Sequence, residues 1–136
     1  MKHYIIHTIL VLRLFGSNTS AQNLIGKSKD EIATFMKTHR SDFEKVKVIN
    51  ESYNYLKYQD ALGEQTILFF LSKNDICTSI KLMSHYVHLG KEIAELNEKY
   101  ESLGNNKWKY SDAGKDYQVE LQKGQWFFSI ITKPVE

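Results

Sequence analysis

The chain has 136 residues, with 18 Lys and Arg against 16 Asp and Glu, 42% hydrophobic residues, one Pro and one Cys. That balance excludes collagen-like, low-complexity, disulfide-framed and wholly disordered chains, and the length suits one domain. A single Cys forbids an intramolecular disulfide, so the fold has to rest on core burial.

Residues 1–21 read as a secretory signal peptide. Lys2 and His3 give a short basic start, Tyr4 to Phe15 are mostly apolar, and small and polar residues run from Gly16 to Ala21. The apolar stretch falls short of the roughly 20 residues that span a bilayer. Thr19 and Ala21 place small side chains ahead of a cleavage point between Ala21 and Gln22. Cleavage removes Lys2 and Arg13 and leaves basic and acidic residues equal in number, with Lys and Glu interleaved throughout. A nucleic-acid binder needs a basic excess on one face, so that partner class is excluded. Cys77 lies far from the cleavage point and cannot carry a lipid as the first mature residue. The expected product is therefore released, periplasmic or secreted, a single domain over residues 22–136 with no integral membrane span.

Ser28-Lys29-Asp30-Glu31 is a capping box that opens a helix, and Ile32, Phe35, Met36 and His39 continue at helical spacing to about Arg40. From Val46 the period falls to two. Tyr53–Tyr58, Gln65–Leu71 and Ile76–Met83 read as strands of an antiparallel meander, separated by 60–63 and 72–75. Leu89, Ile93, Leu96, Tyr100 and Leu103 form the apolar stripe of a second helix, with Gly104 as its left-handed cap. Three more strands follow, Lys107–Ser111, Asp116–Gln122 and Gln125–Thr132, and Pro134 stops the pairing. The fold class expected is α+β, two helices packed on an antiparallel meander sheet, in the order α-β-β-β-α-β-β-β.

Catalytic motifs are missing from the sequence. Gly26-Lys27-Ser28 would need a Gly at position 21 to complete a phosphate loop, and Ala21 stands there. His85 and His88 are three apart, but two histidines do not make a site and no His-Glu-x-x-His pattern exists, so solvated histidines and no metal are expected. Glu92, Glu95, Glu98 and Glu101 recur every three residues and read as a solvated helix face. Cys77, inside a strand-like run, reads as a buried inert thiol. No nucleophile elbow or Ser-His-Asp order is present, so no catalytic residue and no cofactor is assigned. A hydrolase whose site is assembled only in space stays as one alternative.

The aromatics are the more specific signal. Tyr53, Tyr55, Trp108, Tyr110 and Trp126 sit on expected strands, and a sheet covered on one face only would expose some of them. Tyr and Trp give large contact area at low entropic cost, so these five are the candidate partner-binding residues.

The opening Gly26-x-Ser28-x-x-Glu31-Ile32, the meander, and the segment from Leu96-Asn97-x-x-Tyr100 to Trp108 resemble those of small exported bacterial proteins of unknown function. More remotely, the layout resembles the β-lactamase-inhibitor-protein-like architecture shared with outer-membrane-assembly lipoproteins of the SmpA/OmlA type. That resemblance implies a sheet presented to another protein. The function expected is a non-enzymatic module that binds an envelope or extracellular protein or peptide through an aromatic sheet face. A small-ligand or envelope-glycan binder is the other alternative, which a pocket of several hundred cubic ångströms with converging polar groups would favour.

Overall fold

Ser28 caps the first helix from both sides. Its Oγ accepts from the Glu31 amide at 3.2 Å, while its own amide donates to Glu31 Oε1 at 3.0 Å, so two otherwise orphaned amides are satisfied. The helix that follows, α1, spans Lys29–His39 and buries Ile32 and Met36 completely. In the computed structural model, which describes residues 24–49 and 52–136, α1 leads into β1 (Phe43–Val46), β2 (Tyr55–Asp60), β3 (Gln65–Leu71) and β4 (Cys77–Ser84). A single 3-10 turn, Tyr86–His88, passes directly into α2 (Leu89–Lys99). Then come β5 (Glu101–Gly104), β6 (Lys107–Asp112), β7 (Lys115–Lys123) and β8 (Phe128–Pro134). The leader expected over residues 1–21 lies outside the described residues.

Among the described residues the fold is α+β, with two helices and one antiparallel sheet in the order the sequence predicts. Each set of strands has one short strand more than the three seen in the alternation, and both extra strands are edges. The sheet order is β1-β2-β3-β4-β8-β7-β6-β5. Two α-β-β-β-β units thus meet at an antiparallel seam between β4 and β8, where Ile80 faces Thr132 and Leu82 faces Ile130.

The edge strand β5 takes the place of the last helical turn expected up to Gly104. Asn105 and Asn106 both have positive φ, 53° and 60°, which is the pattern of a two-residue type I′ turn between the paired Gly104 and Lys107. Leu103 is exposed in β5, so the apolar stripe that suggested a longer helix ends at Tyr100. The strand β8 starts at Phe128 rather than Gln125. Gly124 donates its amide to the Phe127 carbonyl at 2.9 Å and closes a loop that contains Trp126. A Cβ on Gly124 would lie 2.8 Å from that carbonyl oxygen, which is why a residue without a side chain stands there.

Strand alternation places one apolar set on one face across seven of the strands, while the edge strand β5 is exposed throughout. Leu56, Ile67, Phe69 and Ile80 pack under α1, and Trp108, Val119, Leu121, Phe128 and Ile130 pack under α2. Leu82 touches both groups. The two helices therefore share a face, and the opposite face carries no helix among the described residues.

Candidate functional site

Neither helix covers the seam. Between the C-terminal end of α1 and the flank of α2 lies a cleft of about 480 Å³. Its floor is apolar, made by Ile67, Ile80, Leu82 and Ile130 of the central strands. Its walls are charged. His39, Arg40 and Asp42 come from the end of α1 and the turn after it, and Lys91, Glu92, Glu95 and Lys99 come from α2. The charged residues are equal in number, Arg40, Lys91 and Lys99 against Asp42, Glu92 and Glu95, with both signs on each wall.

Several of these groups are held in place. Arg40 reaches both carboxylate oxygens of Asp42, at 3.3 and 3.4 Å, and its guanidinium lies 4.6 Å from the centre of the Phe43 ring. His88 Nε2 and Glu64 Oε1 lie 3.1 Å apart. His85 Nδ1 accepts from the Val87 amide and caps the 3-10 turn, so both histidines have structural partners. Burial raises the Glu92 carboxyl above its usual range, and neighbouring Glu95 adds to this, against the lowering influence of Lys91, Arg40 and His88. Glu92 and Glu95 are thus half-buried wall residues, while Glu98 and Glu101 are exposed.

The sequence carries a signal for this wall in the spacing of its charged residues. Glu92, Glu95 and Lys99 repeat at helical spacing beside Leu89, Ile93 and Leu96, and residues that border an apolar stripe face the gap between two helices when both lie on one sheet.

The five aromatic candidates do not form one surface. Tyr53 is 67% exposed just before β2. Tyr55 lies on the uncovered face, its ring centre 6.1 Å from that of its cross-strand neighbour Phe70. Trp108 is only 3% exposed under α2, and its indole Nε1 donates to Asn97 Oδ1. Tyr110 stands on that same covered face, stacked between Tyr100 at 4.5 Å and Tyr117 at 5.0 Å, and burial raises its phenol pKa. Trp126 is 78% exposed in the loop between β7 and β8.

Beside Tyr55 and Phe70, the uncovered face presents Leu68, Met83 and Ile131 as a diagonal apolar strip over β2, β3, β4 and β8. These side chains are partly exposed, with Lys57 and Lys81 between them. Cys77 is buried, its thiol donates to the Ser79 carbonyl at 3.5 Å, and burial pushes its pKa up to about 11, well away from that of a reactive thiolate. Among the described residues, no helix is long and apolar enough to cross a membrane. Comparisons with protein-family models, with curated proteins and with solved structures found no match.

Proposed function

We propose that the chain is an exported, non-enzymatic binding protein that takes a small amphipathic molecule into the cleft between its helices. The observation that carries this reading is the pairing of an apolar floor with convergent charged walls, in a volume within the range of about 300–1,000 Å³ common to ligand sites. The ligand would lay an apolar body on Ile80, Leu82 and Ile130 and direct polar groups toward Glu92, Glu95 and Arg40. The leader pattern supports export. The structural partners of His85 and His88 and the burial of the un-ionised Cys77 support binding over catalysis at those three positions.

Titration with anilinonaphthalene sulfonate, an amphipathic fluorescent probe, tests this. Saturable binding of one probe per chain is expected, weakened about tenfold by Glu95→Trp, which fills the cleft from its wall, and retained in Glu95→Gln. No saturable binding, or equal binding to all three proteins, would overturn it.

A second reading rests on the apolar strip of the uncovered face, and the architectural resemblance noted above supports it. In that reading a protein or peptide docks over Tyr55, Phe70 and Met83. A captured envelope protein that is lost with Tyr55→Ala yet retained with Glu95→Trp would favour it over the cleft.

A further inference from the structure

A second hollow, of about 310 Å³, lies at the β1 edge of the sheet, between α1 and the first two strands. Its position follows from two periodicities. Ala33 and Lys37 stand one helical turn apart and share a face of α1. On β1, Phe43 and Lys45 alternate onto the face that α1 covers, and Lys45 stands directly opposite Tyr58 of β2. Ser41, in the turn that joins α1 to β1, completes the lining. Phe43 is the one residue that this hollow shares with the cleft over the seam.

Tyr58 sets this hollow apart from a surface crevice. The residue is 4% exposed, its ring meets that of Phe69 edge-on at 5.9 Å, and its hydroxyl has no partner among the described residues. No side-chain oxygen or nitrogen among those residues is both sealed and unpartnered, so the hydroxyl reaches solvent, and the hollow is the opening that Tyr58 lines. Burial raises the phenol pKa, which keeps the group a neutral donor. Lys37 and Lys45 approach from helix and strand, and neither makes an ion pair among the described residues. Glu44 is the one acid in the lining, and alternation turns it toward the opposite face, across from Gln59. Asp42 and Asp60, beside Phe43 in sequence and in register, are engaged elsewhere, by Arg40 and by the Gln65 amide. Asp30 stands a turn before Ala33, outside the lining.

We infer that this hollow binds a small phosphate monoester, its phosphate taking the Tyr58 hydroxyl and the Lys37 and Lys45 ammonium groups, and its organic part resting on Ala33, Phe43 and the Tyr58 ring. A cation is disfavoured, because the two unpaired charges beside the hydroxyl are both positive. Phosphate suits these donors better than carboxylate does. Its three terminal oxygens can meet donors that arrive from α1, the following turn, β1 and β2, whereas a carboxylate offers two oxygens in one plane. The volume stands at the lower end of the range of about 300–1,000 Å³ common to ligand sites, so the organic part is small. This site is separate from the cleft over the seam, and either can fail without the other.

The test is calorimetric titration of the full chain with phenyl phosphate, at an ionic strength of about 0.15 M so that loose counter-ion pairing is screened. Saturable uptake of one molecule per chain is expected. Inorganic phosphate should compete more weakly, and phenol, which lacks the phosphate, should not compete. Tyr58→Phe removes only the hydroxyl and should weaken binding about tenfold. Lys37→Gln and Lys45→Gln should each weaken it about fivefold. Glu44→Gln removes the one acid of the lining and should tighten it about twofold. Glu95→Trp, which fills the cleft over the seam, should leave the titration unchanged. Absence of saturable binding to the wild type, a measurement that needs no variant to fold, would overturn the inference. So would wild-type affinity in Tyr58→Phe, equal binding of phenol and phenyl phosphate, or loss of binding in Glu95→Trp, which would move the ligand to the cleft.

Discussion

Trp108 on β6 donates its indole N–H to the side-chain oxygen of Asn97 on α2 at 2.8 Å, and so ties the last turns of the second helix to the strand beneath it. The ring is buried while Asn97 stays exposed, so the bond is made at the edge of the core rather than within it. Trp108→Ala should cost roughly 3–5 kcal/mol through the cavity it leaves. Trp108→Phe should cost less, because water can reach the released Asn97 oxygen. Tyr53→Ala, at an exposed position, should stay within about 0.5 kcal/mol. Denaturant melts of the three variants check the ordering, and a near-neutral Trp108→Ala would contradict the packing described.

The capping box makes part of the stability pH-dependent. The hydrogen bonds from Ser28 hold the Glu31 carboxyl below its usual range, first through the backbone amide and then through the hydroxyl. A lowered folded pKa means that this contribution is complete above the ordinary carboxylate range and is lost as pH falls through the folded value. Glu31→Gln keeps the geometry and removes the titration, so its melting temperature should decline less steeply than that of the wild type on acidification. Separately, Ser28→Ala should cost about 0.5–2 kcal/mol at neutral pH.

Cys77 has the opposite sign. Burial raises its thiol pKa to about 11, so the neutral form is favoured in the fold. Its contribution is complete below the unfolded pKa of about 8.5 and is lost as pH rises toward 11. At mildly alkaline pH the native chain should react with a thiol reagent many times more slowly than the denatured chain. Comparable rates would mean that the thiol is accessible. A Cys77→Ser variant should show a flatter alkaline limb in its melting profile.

The β6–β7 turn offers a stabilising change. Ala113 has φ 50° and Gly114 φ 79°, between the paired Asp112 and Lys115. A type I′ turn favours Asn-Gly, and alanine is strained in the left-handed region that asparagine tolerates. Ala113→Asn should raise stability by about 0.5–1 kcal/mol, seen as a higher denaturant midpoint with an unchanged slope. A fall in the midpoint would show that Ala113 makes a contact the turn geometry does not reveal.

Local signals predicted local structure well. Gln65–Leu71 is a strand with the bounds its sequence suggests, because an apolar run is framed by Gly63 and Ser72. The α1 start follows from Ser28 and Glu31 alone. Where two local signals competed, the weaker one was hidden. Tyr100 and Leu103 extend a helical stripe, but the Asn105–Asn106 turn pulls 101–104 into a hairpin. The cleft was not legible, because Glu92 and Glu95 look solvated on an isolated helix and become walls only when the seam sets α1 and α2 side by side. Likewise Trp108, Tyr110 and Trp126 share an aromatic character yet separate into core, stack and loop tip, a division decided by strand ends that the alternation blurred.

The seam also governs how the chain reaches this structure. Six of the seven strand pairings join neighbours in sequence, and only β4 with β8 reaches from Ile80 to Thr132. Hairpins close in about 1–10 μs, whereas a distant pairing has first to meet the entropy of closing a long loop. Folding should therefore be paced by one late docking of two halves. Leu82→Ala, which weakens contacts on both sides of the seam, should slow refolding, while Ala113→Asn should act less on that rate because its turn lies within one half; stopped-flow kinetics in which Ala113→Asn changed the refolding rate more than Leu82→Ala would refute that order of events.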